Sequence, residues 1–107
     1  MAALSIQERK RLRQIGHTLN PVVMVGDKGL SESVIEELNR ALNDHELIKV
    51  KVVAEDRGAR AALIADIVAA SESEIVQTIG KIALIYKKAA KQNAKLSNLV
   101  RYAHLSN

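Results

Sequence analysis

Two glycines three residues apart, Gly26 and Gly29, enclose Asp27 and Lys28 in a segment suited to binding an anion. Glycine lacks a Cβ, so the backbone can turn sharply there and present its N–H groups at close range. Lys28 adds an ammonium group, and the helical pattern that follows adds the partial positive charge of a helix N-terminus. These residue types favour contact with phosphate, although glycines between a strand and a helix also serve as turn residues alone.

The spacing separates this loop from other phosphate-binding motifs. It lacks the four intervening residues and the Gly-Lys-Ser/Thr ending of a P-loop, and it lacks the third glycine of the dinucleotide fingerprint. A Gly-x-x-Gly loop does clamp nucleotide backbone in KH-type RNA-binding modules. A nucleic acid is therefore the polyanion that the loop favours.

Basic residues lie at both ends of the sequence and acidic residues in the middle. The formal net charge is +4, with +3 in residues 1–20, −5 in residues 30–80 and +6 in residues 81–107. Such asymmetry indicates a polyanionic partner that meets one basic surface. The alternative is a solvated surface with a flexible basic tail.

Composition gives no support to catalysis. Cysteine is absent, which excludes disulfides and thiolate chemistry. The histidines at 17, 45 and 104 show no metal-ligand spacing, and no pair of carboxylates forms a recognisable catalytic site. We therefore expect no catalytic residue, no metal and no cofactor. Because no segment is long and apolar enough for a membrane helix or a signal core, we expect a cytoplasmic protein.

The first elements are predicted from a cap and an apolar run. Ser5 and Glu8 have the spacing of a capping box at the start of a helix. Val22–Val25 is continuous and apolar, which predicts a strand buried on both faces. A second amphipathic helix follows Leu30, with Ser31 or Ser33 as its cap.

The remaining elements alternate strands with one more helix. In the second strand, Lys49 and Lys51 share one face and the apolar residues share the other. Residues 57–70 predict a third helix, and Gly80-Lys81 predicts a two-residue type II′ turn between two final strands.

The predicted order is therefore α-β-α-β-α-β-β. Strand–helix–strand units give parallel pairing and the closing hairpin gives an antiparallel pair, so the four-stranded sheet should be mixed. Since three helices do not cover both of its faces, we expect an α/β two-layer sandwich with the helices on one side. We assign residues 1–88 to a single domain and residues 89–107 to a basic C-terminal tail.

Several segments, in their order and spacing, carry a family resemblance: residues 16–23, 25–30, 45–51, 76–80 and 84–87. With them the chain closely resembles the YhbY-like bacterial branch of the CRM family, which is named for chloroplast RNA splicing and ribosome maturation. The resemblance runs from about Ser5 to Lys88. It departs at Lys87, where the family often has arginine, because lysine lacks the planar fork for bidentate phosphate contact.

The resemblance implies an RNA-binding domain with a fold like the C-terminal domain of bacterial translation initiation factor three. Carried over by position, the RNA-contacting loop is Gly26, Asp27, Lys28 and Gly29. Asp27 adds a negative charge that weakens the attraction for phosphate. Further candidates for RNA contact are the basic residues Arg9, Arg13, Lys49, Lys51, Lys81, Lys87 and Lys88, although Lys49 and Lys51 also suit a merely solvated strand.

The aromatic content bears on how RNA would be held. Phe and Trp are absent, and Tyr86 and Tyr102 are the two tyrosines, whereas modules that read single strands use several aromatic platforms. We therefore expect contact with phosphate and shape in structured RNA. The resemblance narrows this RNA to the precursor of the large ribosomal subunit. We also expect ribosomal proteins as further partners, no membrane contact and a monomeric state. Two alternatives stay open: a general nucleic-acid-binding protein, and an interaction module whose acidic helix docks on a ribosomal protein.

Overall fold

A mixed four-stranded sheet is the centre of the computed structural model, which describes residues 4–26 and 28–105. The predicted order of the first seven elements is confirmed. The elements are α1 (Ile6–Gly16), β1 (Pro21–Val25), α2 (Glu32–His45), β2 (Leu47–Val52), α3 (Arg57–Ser71), β3 (Glu74–Ile79), β4 (Ile82–Tyr86) and α4 (Asn98–Arg101), with a 3₁₀ turn at Ala103–Leu105. In the sheet the strands lie in the order β1-β2-β4-β3, with β1 and β2 parallel and the other pairs antiparallel.

Local signals account for the helix starts and for the hairpin. The Glu8 N–H donates to Ser5 Oγ and the Ser5 N–H donates to Glu8 Oε1, both at 3.0 Å, so the capping box at α1 is confirmed. Ser31 caps α2, since its Oγ accepts the Val34 N–H at 3.2 Å. Gly80 has a positive φ of 55°, as the predicted hairpin turn requires.

Helices lie on both faces of the sheet, which corrects the expectation that all of them share one side. The helices α2 and α3 cover one face, where Val50, Ile67 and Ile85 are buried in a common cluster. On the opposite face, Leu12 and Ile15 of α1 pack in a second cluster of buried residues with Leu47, Val76 and Leu84. The physical reason is that β2 and β4 carry apolar side chains on both faces, so both faces need cover.

The strand β1 is buried on one face only, so the expectation of burial on both faces is wrong. Val23 and Val25 point into the cluster under α2 and α3. Val22 and Met24 are 51% and 65% exposed. The strand lies at the edge of the sheet, and the cluster that α1 forms includes none of its residues.

Glu46, between α2 and β2, is a buried carboxylate that the sequence analysis did not single out. Its side chain is 1% exposed, and its backbone has a φ of +63°, which is rare for a residue other than glycine. Oε2 accepts the Ala89 N–H at 2.9 Å, and Oε1 accepts Gln92 Nε2 and Ser97 Oγ at 2.7 Å each. One carboxylate therefore joins the start of β2 to the C-terminal segment.

Residues 89–105, the described part of the segment that the sequence analysis set apart as a tail, lie against the rest of the fold. Asn98 Nδ2 donates to the Leu47 carbonyl at 2.7 Å. Leu99 and Tyr102 pack against the cluster that contains Leu12 and Leu47. This segment and α1 together cover the face of the sheet opposite α2 and α3 near the start of β2.

The pKa of Glu46 reports how strongly its carboxylate is held. Burial acts to raise this pKa, but hydrogen bonds from Ser97, Ala89 and Gln92, with the charge of Lys88, outweigh burial and bring the pKa below its ordinary value. Because the pKa is lower in the folded than in the unfolded chain, the stabilisation is complete above the ordinary glutamate pKa. It is lost as pH falls through the folded value.

We expect Glu46→Gln to lower the free energy of unfolding by about 2 kcal/mol at neutral pH, since it weakens charge-assisted hydrogen bonds to three donors. The difference from wild type should begin to shrink below about pH 4.5, where the unfolded chain takes up a proton on Glu46, and should be lost once the pH falls below the lowered pKa of the folded protein. Urea denaturation at a series of pH values measures both effects, with exposed Glu36→Gln as the control. Equal stability of wild type and Glu46→Gln at neutral pH would contradict this account.

Candidate nucleic-acid interface

The glycine loop forms a tight turn directly after β1. The Gly29 N–H donates to the Gly26 carbonyl at 2.9 Å, and Gly29 has a φ of +71°, where a residue with a side chain is strained. Lys28 is exposed, and Asp27 lies outside the described residues. A Cβ added at Gly26 or at Gly29 would have no atom within 4 Å. The space around the loop is therefore open to a ligand.

Two backbone hydrogen bonds bring the loop beside two of the predicted lysines. The Val53 N–H donates to the Val25 carbonyl at 2.9 Å, and the Val52 N–H donates to the Lys81 carbonyl at 2.7 Å. The ends of β1 and β2 and the turn between β3 and β4 thus lie side by side. We call this part of the molecule the loop end; it comprises residues 26, 28–29, 51–53 and 80–81, and Lys51 and Lys81 are exposed in it.

Lys49 and Lys51 share the face of the sheet that α1 partly covers, as the alternation in β2 predicted. Lys49 pairs with Leu84, a residue of the α1 cluster, and Lys51 pairs with Met24 and Ile82. Lys49 is half-buried and Lys51 is exposed. Both lysines therefore lie on the α1 side of the sheet, with Lys51 nearer to the loop.

Two carboxylates border the glycine loop on the side of the sheet that α3 covers. Glu55 and Asp66, both exposed, line an open cavity with Gly26 and Gly29 on the side of α3. A phosphate approaching Gly26 and Gly29 from that side meets two negative charges, whereas an approach from the α1 side meets lysines. Arg57 and Arg60 line a separate cavity with Gly80 on the α3 side. The carboxylates therefore favour an approach of phosphate to the glycine turn from the α1 side.

Arg9 is engaged in a structural contact. Its Nη1 donates to the Ile75 carbonyl at 2.6 Å and to the Val76 carbonyl at 3.3 Å. The register of β3 shifts between Ile75 and Gln77, so the guanidinium satisfies carbonyls at an irregularity of an edge strand. Arg13, one turn further along α1, is half-buried.

Lys87 and Lys88 lie at the opposite end of β4 from the loop end. Lys87 Nζ donates to the carbonyl of Ser71, the last residue of α3, at 3.0 Å. Both lysines also line a cavity together with Glu8, Glu72 and Glu74, where carboxylates outnumber ammonium groups. The structure therefore does not bring all the predicted basic residues to one surface; it groups Lys28, Lys49, Lys51 and Lys81, and separates Lys87 and Lys88 from them.

Across residues 4–26 and 28–105, no group of three or more His, Asp or Glu side chains could hold a metal ion. Within the same ranges, none of the helices has the length and apolar character needed to cross a membrane. At the loop end the glycine turn lies beside the exposed Lys51 and Lys81.

The sheet topology and the lysine-bordered glycine loop define a small α/β domain of the Gly-x-x-Gly type. Residues 4–87 match the CRS1 / YhbY (CRM) domain, and the chain belongs to this family. The predicted family and the predicted α/β class with a mixed sheet are both confirmed.

Several relatives are similar over nearly their whole length. A "Probable RNA-binding protein" of Pseudomonas aeruginosa is 50% identical over 94% of this chain and 97% of its own. An "RNA-binding protein" of Haemophilus influenzae is 43% identical over 90% and 97%. The solution structure of a hypothetical protein from Staphylococcus aureus is similar with a TM-score of 0.73 and 29% identity, over 89% of this chain and 98% of that one.

Proposed function

We propose that this protein binds structured RNA through the loop end, with the phosphate backbone approaching from the α1 side of the sheet. The observation that carries the proposal is the convergence of the Gly26–Gly29 turn with Lys51 and Lys81, fixed by the hydrogen bonds of Val52 and Val53. Two relatives that are 43% and 50% identical carry the name RNA-binding protein, which supports the choice of ligand.

The chemistry suits phosphate rather than a base edge. Lysine ammonium groups act as point charges that neutralise phosphates without geometric selection. The glycine turn lets a backbone approach closely because no Cβ stands in the way. Glu55 and Asp66 repel phosphate on the α3 side of the glycine turn, which favours an approach of RNA to the turn from the α1 side.

The positions of the tyrosines support recognition by phosphate and shape. Tyr86 and Tyr102 are half-buried and pack against the α1 cluster, near the start of β2. Burial raises the pKa of the Tyr86 hydroxyl, assisted by the negative charge of Glu46. Neither ring lies at the loop end, so base stacking on an aromatic platform is not part of the proposed contact.

We further propose a role as an assembly factor that associates with precursor large ribosomal subunits in the cytoplasm, as a monomer. This role rests on the family, whose name includes ribosome maturation, and on a contact made mainly through phosphates. Such a contact suits a protein that binds folded ribosomal RNA transiently and then leaves.

A protein-interaction module is the rival function. Glu32, Glu36 and Glu37 are exposed on the first half of α2 and form an acidic surface that could meet a basic ribosomal protein. Binding to protein-free ribosomal RNA that weakens with salt supports the RNA function and not this rival. Equal affinity for duplex DNA would leave only a general nucleic-acid-binding function.

We expect Lys51→Gln/Lys81→Gln to weaken binding to a ribosomal RNA fragment at least tenfold, or about 1.4 kcal/mol. With four lysines contacting phosphates, the logarithm of wild-type affinity should fall with the logarithm of salt at a slope of about −3, and the variant should show about half that slope. Fluorescence anisotropy at several salt concentrations measures both quantities.

The matched control is Lys88→Gln/Lys91→Gln, which removes the same charge from exposed lysines away from the loop end. We expect it to change affinity less than about twofold. Equal losses in the two variants would mean that net charge, rather than the loop end, determines binding. Gly26→Asp tests the loop itself by placing a negative charge beside the proposed phosphate, and it should weaken binding; the fold has room for that side chain, whereas Gly29 is constrained by its φ.

For the cellular role, we expect the protein to migrate with precursor large subunits in a sucrose gradient and to dissociate when salt is raised, because phosphate contacts dominate. Lys51→Gln/Lys81→Gln should shift the protein to the top of the gradient. Migration with polysomes or with small subunits alone would contradict the assembly role while leaving RNA binding intact.

A further inference from the structure

Four residues form one row across all four strands next to the glycine loop. Met24 of β1 pairs with Lys51 of β2, Lys51 pairs with Ile82 of β4, and Ile82 pairs with Ile79 of β3. Side chains of directly paired residues lie on the same face of a sheet. We call Met24, Lys51, Ile82 and Ile79 the open row; it lies on the α1 side.

Neither α1 nor the C-terminal segment covers the open row. The α1 cluster contains Leu47, Val76 and Leu84, which lie further toward the start of β2. In the open row, Met24 is 65% exposed and Ile79 is 57% exposed, while Ile82, between Lys51 and Ile79, is half-buried. An apolar row that stays exposed beside a basic loop indicates a contact surface rather than a core position.

The charges on this face indicate an anionic partner. The next row toward the start of β2 contains Pro21, Lys49, Leu84 and Gln77. The two rows together contain two lysines and no carboxylate, and Lys81 borders them in the hairpin turn. The partner that complements this surface has negative charges and flat apolar groups close together, which describes unpaired nucleotides.

We propose that the open row binds the bases of unpaired nucleotides that continue from the RNA held at the loop end. This inference rests on the proposed function and adds a second contact to it. Bases would lie on Met24, Ile79 and Ile82, while Lys51 neutralises the adjoining phosphate. Four strands span about 14 Å, and a four-stranded sheet in another RNA-binding module holds about two or three bases.

A second copy of the chain fits the open row less well. A two-fold pairing of the row with itself would hold both Lys51 ammonium groups in one apolar interface, and like charges held close together there are destabilising. The same repulsion disfavours a basic protein partner. RNA has the opposite charge, and its bases supply the apolar surface.

The test compares two RNAs and two double variants. One RNA is a hairpin of about 16 base pairs, and the other carries about four additional unpaired adenosines at its 3′ end. The test variant is Met24→Thr/Ile79→Thr, which removes exposed apolar side chains but keeps residues that suit strands. The control is Ile6→Thr/Val100→Thr, which changes two other exposed apolar residues.

We expect wild type and control to bind the extended RNA at least fivefold more tightly than the hairpin. Met24→Thr/Ile79→Thr should lose this preference and still bind the hairpin with wild-type affinity. An unchanged preference in that variant, or no preference in wild type, would overturn the inference while leaving the proposed function standing. Failure of wild type to bind either RNA would overturn both. A dimer in sedimentation experiments that Met24→Thr/Ile79→Thr abolishes would assign the row to a second copy and overturn the inference.

Discussion

The rest of the structure depends on a change along β2, from side chains buried on both faces at its start to lysines on one face toward its end. At its start, Leu47 and Ile48 point to opposite faces and both are buried, so both faces of the sheet need cover there. Toward its end, Lys49 and Lys51 replace apolar residues on the α1 side, and no helix covers them fully. The C-terminal segment completes the cover at the start of β2 through the buried Glu46 carboxylate. The apolar start builds the core, and the lysine-bearing end leaves a face free for a ligand.

This arrangement gives the molecule two ends with different electrostatics. At the loop end, lysines lie beside a turn with room for a ligand, and among the described residues Glu55 and Asp66 border the turn on the α3 side. At the other end, Lys87 and Lys88 lie among three glutamates, and Lys87 donates a hydrogen bond to the end of α3. The overall charge of +4 is therefore a poor guide to the binding surface. What matters is which lysines share a face without neutralising carboxylates.

Local patterns predicted the order of the elements, the α1 capping box, the alternation in β2 and the glycine of the hairpin turn, because each depends on residues close in sequence. The face that α1 covers could not be predicted in this way, since an amphipathic pattern shows that a helix has an apolar side but not where it packs. The roles of Glu46 and Arg9 were missed for the same reason. Glu46 contacts Ala89 and Ser97 at separations of 43 and 51 residues, and Arg9 contacts carbonyls 66 and 67 residues away.

The most direct test of the central claim is the protection of individual lysines from acetylation by bound ribosomal RNA, followed by mass spectrometry. One experiment compares the lysines at both ends of the molecule in the wild-type protein, without any substitution. The account predicts that RNA protects Lys28, Lys51 and Lys81 strongly, while the exposed Lys88, Lys91 and Lys95 react as in the free protein. Protection of Lys88 and Lys91 with continued reaction of Lys51 and Lys81 would contradict the account, because it would place the RNA at the opposite end of the sheet.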